Sequence, residues 1–286
     1  MSHDDRVVVD SRPNMVTNSE PDPASRSRAP ITLSAVLVAK NAAATIAKAI
    51  RAVRFCDEIV VIVDQESTDE TEAIARRYAD QVDLRPWMGY GPTKRAAIDL
   101  ARGRWILIID SDEEVSPELA VAISEAIRNG KDADIAAYAL RRRTRYLGRW
   151  MKHGDWGRDR VVRLFDRTRA ELSDDPVHES VHAPGDTPAL HGLLLHEGDQ
   201  TLPSYLARLD RYTTLAAQSL FDKGRRSSWL SITVRPAFKF IQAYILRMGF
   251  LDGWQGLVLA FYSSVYVFTK YAKLMQLERD HITSSK

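Results

Sequence analysis

Trp105-Ile106-Leu107-Ile108-Ile109-Asp110-Ser111-Asp112 is the stretch on which the fold turns. Five apolar residues with no polar alternation read as a strand buried on both faces, the signature of a parallel sheet. Two carboxylates then leave the carboxyl end of that strand together, where open α/β sheets bind their ligands. Oxygen ligands one residue apart suit a hard divalent cation, and such a cation can carry a diphosphate. Glu113 and Glu114 extend the cluster. Carboxylates this close repel one another unless a cation compensates. The cluster is therefore expected to hold a metal, with Asp112 as the direct ligand, rather than to form a solvated turn before Ser116.

Working outward, strands alternate with helices. Residues 31–39 and 58–63 are apolar strands, 82–85 is a short one, and 104–109 leads to Asp110. Between them, helices are expected over 42–53 with Asn41 as cap, 70–78 behind Ser67-Thr68-Asp69, and 93–101. Ser116-Pro117-Glu118 starts a further helix that Gly130 ends. Such alternation implies an α/β fold with a doubly wound, mostly parallel sheet. The texture changes after Asp134. Strands are expected over 136–140 and 160–165, separated by an irregular stretch rich in Arg, Gly, Trp and His. An amphipathic helix over 204–223, closed by Gly224, opens an apolar, aromatic C-terminal region.

The chain has 286 residues, 45% hydrophobic and 27% charged, and a formal net charge of +2, so no global polyanion partner is signalled. The single cysteine, Cys56, excludes an intramolecular disulfide and fits a reducing compartment as a buried thiol. Residues 1–30 are polar, lack the apolar run of a secretion signal, and are expected to be disordered. The expected organisation is a 1–30 tail, a 31–200 catalytic domain and a 201–286 helical region.

Other residues complete a chemical set. Asp64 ends the second strand at the same sheet edge as Asp110; it can accept from a nucleoside or merely start the next turn. Lys94 and Arg95 follow Gly89, Gly91 and Pro92; they can meet a diphosphate or stand as solvated cations. The spacing fits neither a Walker loop nor GxGxxG. Glu179, after His178, is the best candidate for a general base, with Asp155 and Asp159 as rivals. His196 ends an apolar run and can be structural or offer a metal an imidazole. Residues 141–169 carry eleven Lys or Arg against three acids, with Tyr146, Trp150 and Trp156 interleaved. That pattern suits nucleic acid, an anionic sugar acceptor or an anionic membrane surface. Beside a site for a nucleoside diphosphate the last two are favoured, and no nucleic-acid partner is expected.

With these residues in place, the chain resembles the inverting family 2 glycosyltransferases of GT-A fold. The marks are Val38-Ala39-Lys40-Asn41, IVVIVDQESTDET at 59–71, GYGPTKRAAIDLARGRWILIIDSDEEVSPEL at 89–119, RLF at 163–165, VHE at 177–179 and LLLH at 193–196. Within that family it is similar to lipopolysaccharide core β-1,4-glucosyltransferase-like proteins, on Arg211-Tyr212-Thr213-Thr214, Arg235-Pro236, Gly249-Phe250-Leu251-Asp252-Gly253 and Lys270-Tyr271-Ala272-Lys273-Leu274. The resemblance implies a GT-A (Rossmann-like) domain with a C-terminal helical extension. It implies transfer of a hexose, such as glucose from UDP-glucose, to a hydroxyl of an envelope glycolipid. It implies Mg²⁺ or Mn²⁺ at Asp112, Asp110 and His196, and donor contacts from Lys40, Asp64, Lys94, Arg95, Asp110 and Ser111. Glu179 becomes the base, and Arg143, Trp150, His153, Trp156 and His178 the acceptor side. One departure stands out: Gln65-Glu66 replace the small residues that relatives carry after the first Asp. The alternatives are transfer to a polyprenyl phosphate, or a basic nucleic-acid-binding scaffold without enzymatic activity.

The uncharged run 253–268 is shorter than the about twenty apolar residues a span needs. Helices lying on the cytoplasmic leaflet are expected instead, which places the chain in the cytoplasm, peripheral on the inner face of the plasma membrane. A homo-oligomer is compatible with the sequence.

Overall fold

The structure is a computed structural model that describes residues 30–129, 134–173, 180–197 and 202–284. The tail, Gly130, His178 and Glu179 lie outside the described residues.

The first half alternates as the sequence implies. It runs β1 (Leu33–Ala39), α1 (Ile46–Ala52), β2 (Glu58–Asp64), α2 (Thr71–Tyr78), β3 (Gln81–Arg85), α3 (Tyr90–Leu100) and β4 (Trp105–Asp110). These strands pair in parallel in the order β3-β2-β1-β4. Both faces are covered. Leu37 and Ala39 of β1 pack with Ile46 and Ile50 of α1, whereas Val36 and Val38 pack with Ala97 and Ile98 of α3. The period of two in a strand explains the split. It also explains why β1 and β2 are buried at every position.

The second half is mixed rather than parallel. It contains β5 (Glu113–Val115), α4 (Pro117–Asn129), β6 (Ala137–Tyr146), β7 (Arg149–Trp150), β8 (Arg160–Asp166), β9 (Glu171–Leu172), β10 (Val181–His182) and β11 (Leu194–His196). The sheet continues β4-β8-β6-β11-β5, with β8 antiparallel to both β4 and β6. β6 returns directly as β8 after a short excursion, with no crossover helix between them, so antiparallel pairing follows. β11 runs parallel to β6 and pairs antiparallel with β5, which sets His196 opposite Glu113.

Helix starts differ from expectation in instructive ways. Ser116 caps α4 as read, its Oγ accepting from Leu119 N at 3.3 Å. Asn41 does not cap α1, which begins at Ile46. It adopts a positive φ of 49°, and its Oδ1 accepts from Thr68 N at 2.8 Å. Its amide oxygen thus braces the turn before α2 instead of its own helix. Asp69 serves two loops at once, accepting from Ala43 N at 2.9 Å and Thr71 N at 3.1 Å. α3 begins at Tyr90, a turn earlier than expected, because Gly89 at φ 96° turns the chain into it.

Three helices close the molecule: α5 (Leu202–Asp222), α6 (Trp229–Ile241) and α7 (Gly253–Ser284). A π turn at Gln242–Leu246 and a 3₁₀ turn at Gly249–Asp252 join the last two. Gly256 lets α7 start against that turn, since a Cβ there would lie 1.9 Å from Gly249 O. The loop around residues 151–156 is laced to these helices. Asp252, 1% exposed, accepts from Lys152 N at 2.9 Å and His153 N at 2.7 Å, and meets His153 Nδ1 at 3.1 Å. No helix among the described residues is long and apolar enough to cross a membrane.

Candidate active site

A cleft of about 1030 Å³ opens where β1, β4, β6 and β8 meet α5 and α7. Asp110, Ser111 and Asp112 line it together with Lys40, Lys94, Trp156, Asp159 and His196. The topology thus gathers residues from 40 to 196 at one edge of the sheet, beyond the carboxyl ends of β1 and β4.

The two aspartates have different surroundings. Asp110 lies between two cations: Lys94 Nζ is 2.6 Å from Oδ1, and Arg163 Nη2 is 2.6 Å from Oδ2. Burial alone would raise its carboxyl, but Arg163 and Lys94 outweigh burial and hold it far below the ordinary carboxylate range. Lys94 is 1% exposed, so it is neither a solvated cation nor open to a diphosphate while this pair stands. Both carboxylate oxygens of Asp110 are thus engaged by cations, whereas those of Asp112 are not held this way.

Asp112 instead faces His196, with Nε2 3.3 Å from its Oδ2. The other ring nitrogen, Nδ1, lies 3.2 Å from Thr144 Oγ1. Burial would lower the imidazole pKa; the hydrogen bond and charge of Asp112 outweigh it, and the net shift is upward. Thr144 at Nδ1 fixes the ring so that Nε2 and the Asp112 carboxylate face one point; a cation there would replace the proton they share and take the neutral ring as a ligand. Asp112 and His196 thus fit a divalent cation as two neighbouring ligands. Among the described residues no three His, Cys, Asp or Glu form a cage, so water and substrate would complete the coordination.

The other expected residues divide. Lys40 lines the cleft and bridges Asp64 at 2.6 Å and Glu66 at 2.9 Å. Asp64 is 1% exposed behind it, so a nucleoside would reach it by displacing Lys40. The hydrogen bond from Lys40, then that from Glu66 N, lowers the Asp64 pKa. The Gln65-Glu66 departure thus has a structural consequence, because Glu66 supplies half of this clamp. Arg95 does not face the cleft; it donates to Leu172 O and holds β9 against α3. Arg143 is displaced by one residue from the useful position. Arg142 and Thr144 line the cleft, and strand alternation sends Arg143 to the other face. Trp150 sits under Arg145, 6.0 Å from its guanidinium, and His153 is bound to Asp252. Neither lines the cleft, whereas Trp156 does.

The rival bases separate as well. Asp159 lines the cleft, paired with Arg142 Nε at 2.7 Å. Asp155 does not. Its carboxylate meets Lys239 Nζ and Ser263 Oγ, each at 3.0 Å, and Arg247. It joins the 151–156 loop to α6 and α7 and is no candidate base. Burial would raise its pKa; Lys239, Ser263 and Arg247 outweigh burial and lower it. Asp155→Asn is expected to cost about 2 kcal/mol of stability at neutral pH, as a buried charge network loses its centre, with cleft chemistry unchanged. A carboxyl lowered on folding stabilises above its ordinary range and stops doing so as pH falls through its folded value. Urea melts should therefore show the wild-type advantage at pH 7 shrinking as pH falls below the ordinary aspartate range of about 3.9.

Several cleft residues escaped the sequence reading. Arg163 stood inside the RLF mark without a role, and Arg142 was hidden in a run of three arginines. Arg160 also reaches the wall, and α5 and α7 contribute Tyr205, Arg208, Tyr212 and Tyr266. Much of the basic stretch is spent internally: Arg145 on Glu197, Arg167 on Ala101 O and Arg169 on Asp134 O.

Comparison with known proteins decides the class. The glycosyl transferase family 2 model matches residues 34–183, just over half of the chain. This chain belongs to glycosyl transferase family 2. The glycosyltransferase is 27% identical over 253 residues to the lipopolysaccharide core biosynthesis glycosyltransferase LpsC of Rhizobium meliloti (strain 1021), covering 86% of this chain and 93% of that one. It is 28% identical over 263 residues to an uncharacterized glycosyltransferase of Rickettsia felis, covering 89% and 92%. A solved glucosyl-3-phosphoglycerate synthase from Mycobacterium tuberculosis, in complex with Mn²⁺, UDP-glucose and phosphoglyceric acid, aligns at 25% identity with a TM-score of 0.33, over 40% of this chain and 44% of that one. The glycosyltransferase has the α/β, GT-A-like sheet and the C-terminal helical extension that its sequence implies.

Proposed function

We propose that this glycosyltransferase moves a hexose from a nucleotide sugar to a hydroxyl of an anionic envelope glycolipid, with inversion. The observation that carries the reading is the Asp112–His196 pair at 3.3 Å, set in a cleft beside a charge-balanced Asp110. The similarity to LpsC across most of both chains supports an acceptor of the lipopolysaccharide core class.

Asp112 and His196 would hold Mg²⁺ or Mn²⁺, which when bound supplies positive charge toward the departing diphosphate. Arg142 and Arg163 add fixed positive charge to the same wall, oriented in advance by Asp159 and Asp110. Trp156, Tyr205, Tyr212 and Tyr266 offer aromatic faces on which sugar rings can rest. Arg160 of β8 and Arg208 and Arg211 of α5 line the same cleft and suit an acidic acceptor. Glu179 is the proposed base; it removes the proton of the acceptor hydroxyl as that oxygen attacks the anomeric carbon. A single displacement needs no covalent enzyme intermediate.

A panel of UDP-, GDP- and dTDP-hexoses, scored for metal-dependent hydrolysis and thermal stabilisation, tests the donor half without an acceptor. UDP-glucose is expected to lead, and no response to any nucleotide sugar would sink the reading. Glu179→Gln is expected to lower transfer by about 10²–10⁴-fold while keeping donor binding. Near-normal transfer by that variant would move the base to Asp159, or favour a phosphate acceptor that needs none.

A further inference from the structure

We infer that the outward face of α6, the turn after it and α7 is a docking surface for an anionic lipid bilayer. Fourteen of the twenty-one exposed large apolar side chains among the described residues fall between Trp229 and Phe268. They are ordered, not scattered. On α6, Leu230, Val234, Phe238 and Ile241 recur at four, four and three residues, which is one stripe of a helix. The stripe continues past the π turn to Ile245 and Leu246, 51% and 60% exposed. On α7, Trp254, Leu257, Phe261 and Phe268 repeat the pattern.

The opposite sides of these helices are already satisfied. Ser231 and Pro236 of α6 are buried, and Ser264 Oγ of α7 donates to Pro236 O at 2.9 Å. The outward stripes are thus surplus to the packing of the molecule. Soluble proteins rarely expose an apolar patch of this extent without a use for it.

Charge selects the occupant. From Gly224 to Phe268 the chain carries Arg225, Arg226, Arg235, Lys239 and Arg247 but one acid, Asp252. Asp252 is buried, and Lys239 and Arg247 are taken up by Asp155. Arg225 and Arg226 remain exposed at the approach to α6. Between Trp229 and Phe268, where the apolar stripes lie, a second copy would offer these arginines no exposed acid. An anionic headgroup layer matches them, and Trp229 and Trp254, 73% and 59% exposed, suit the boundary between headgroups and acyl chains. None of the helices crosses; they lie on the surface. α5 and α7 also wall the cleft, through Tyr205, Arg208, Tyr212 and Tyr266. Docking therefore holds the cleft next to the layer in which a lipid-linked acceptor would sit.

The test uses the full chain and sucrose-loaded vesicles of phosphatidylcholine with or without about a third phosphatidylglycerol. Sedimentation with the anionic vesicles is expected, weakening with salt. A Leu230→Ser/Val234→Ser/Phe238→Ser variant is expected to bind at least about tenfold less well, since it removes three apolar side chains from the buried face. Arg225→Ala/Arg226→Ala is expected to lose several-fold on anionic vesicles only. Both variants alter surface residues away from the cleft, so metal-dependent donor hydrolysis should be retained, and it serves as the check on folding. Failure of that hydrolysis in the wild type would count against the donor reading, not against docking. Two results would overturn docking: equal binding by wild type and the triple variant, or no binding of the wild type to the anionic vesicles, whether it sediments as a monomer or as a dimer that the triple variant dissolves.

Discussion

Asp112→Asn is expected to reduce metal-dependent turnover of the nucleotide sugar by about 10²–10³-fold, the scale on which one electrostatic contact to a developing charge is lost, while the melting temperature barely moves. Both halves of this expectation follow from position. Asp112 is 30% exposed and faces His196 across the cleft, so its carboxylate is not part of the packed interior. The amide keeps the size and loses the charge that would hold a hard cation. Titration of Mn²⁺ against the variant, read by thermal shift with UDP present, should show the metal's stabilising effect reduced in step with turnover. His196→Ala should have a smaller effect of the same kind. An Asp112→Asn enzyme with wild-type metal response would place the cation elsewhere, and the pairing with His196 would then be structural.

Lys94→Met is expected to cost about 3 kcal/mol of folding stability, the lower end for removing one member of a buried ion pair. Lys94 is 2% exposed at its side chain, and its ammonium is the partner of Asp110 Oδ1. Removing it leaves Asp110 with Arg163 alone, so the buried Oδ1 of the carboxylate loses the cation that compensates it. Urea unfolding at neutral pH measures the loss as a lowered midpoint with the slope unchanged. Asp110→Asn in the same background should restore part of the loss, because the uncompensated charge disappears with it. The coupling energy from that cycle separates the pair from mere packing of the lysine stem. A single-variant loss below about 1 kcal/mol would mean that the pair is solvated, contrary to its burial.

Much of the first hundred described residues was readable because each element there carries its signal locally. WILII is apolar at every position, and only a strand covered on both faces needs that. Ser116-Pro117 announces a helix by chemistry confined to one turn. The start of α1 was misread because Asn41, a good capping residue, spends its side chain on a neighbouring loop that the fold brings alongside. Propensity names what a residue can do, and tertiary contacts choose among the options.

The cleft divides along the same line. Asp110 and Asp112 look alike in sequence. Their roles separate only when α3 and β8 deliver Lys94 and Arg163 to one of them and β11 delivers His196 to the other. Arg142 and Arg143 cannot be told apart by composition, whereas the pleat of β6 assigns one to the cleft and one away from it. Asp155 looked like a rival base because it sits among glycine and tryptophan in an irregular stretch, and the resemblance put His153 on the acceptor side. They are instead the pins that fasten that stretch to the C-terminal helices, through Asp252 in one case and Lys239 and Arg247 in the other.

By itself the sequence determined the α/β class, the parallel half of the sheet, the sheet edge at which the carboxylates emerge and the family, since all of these rest on periodicity or on contiguous motifs. Only the tertiary structure decided which carboxylate is neutralised and which stays available, which arginines face the cleft, and that α6 and α7 turn an apolar stripe outward. Those outcomes depend on distances between residues far apart in the chain, such as the 53 positions from Asp110 to Arg163, and electrostatic and packing energies are functions of distance in space, not of separation in sequence.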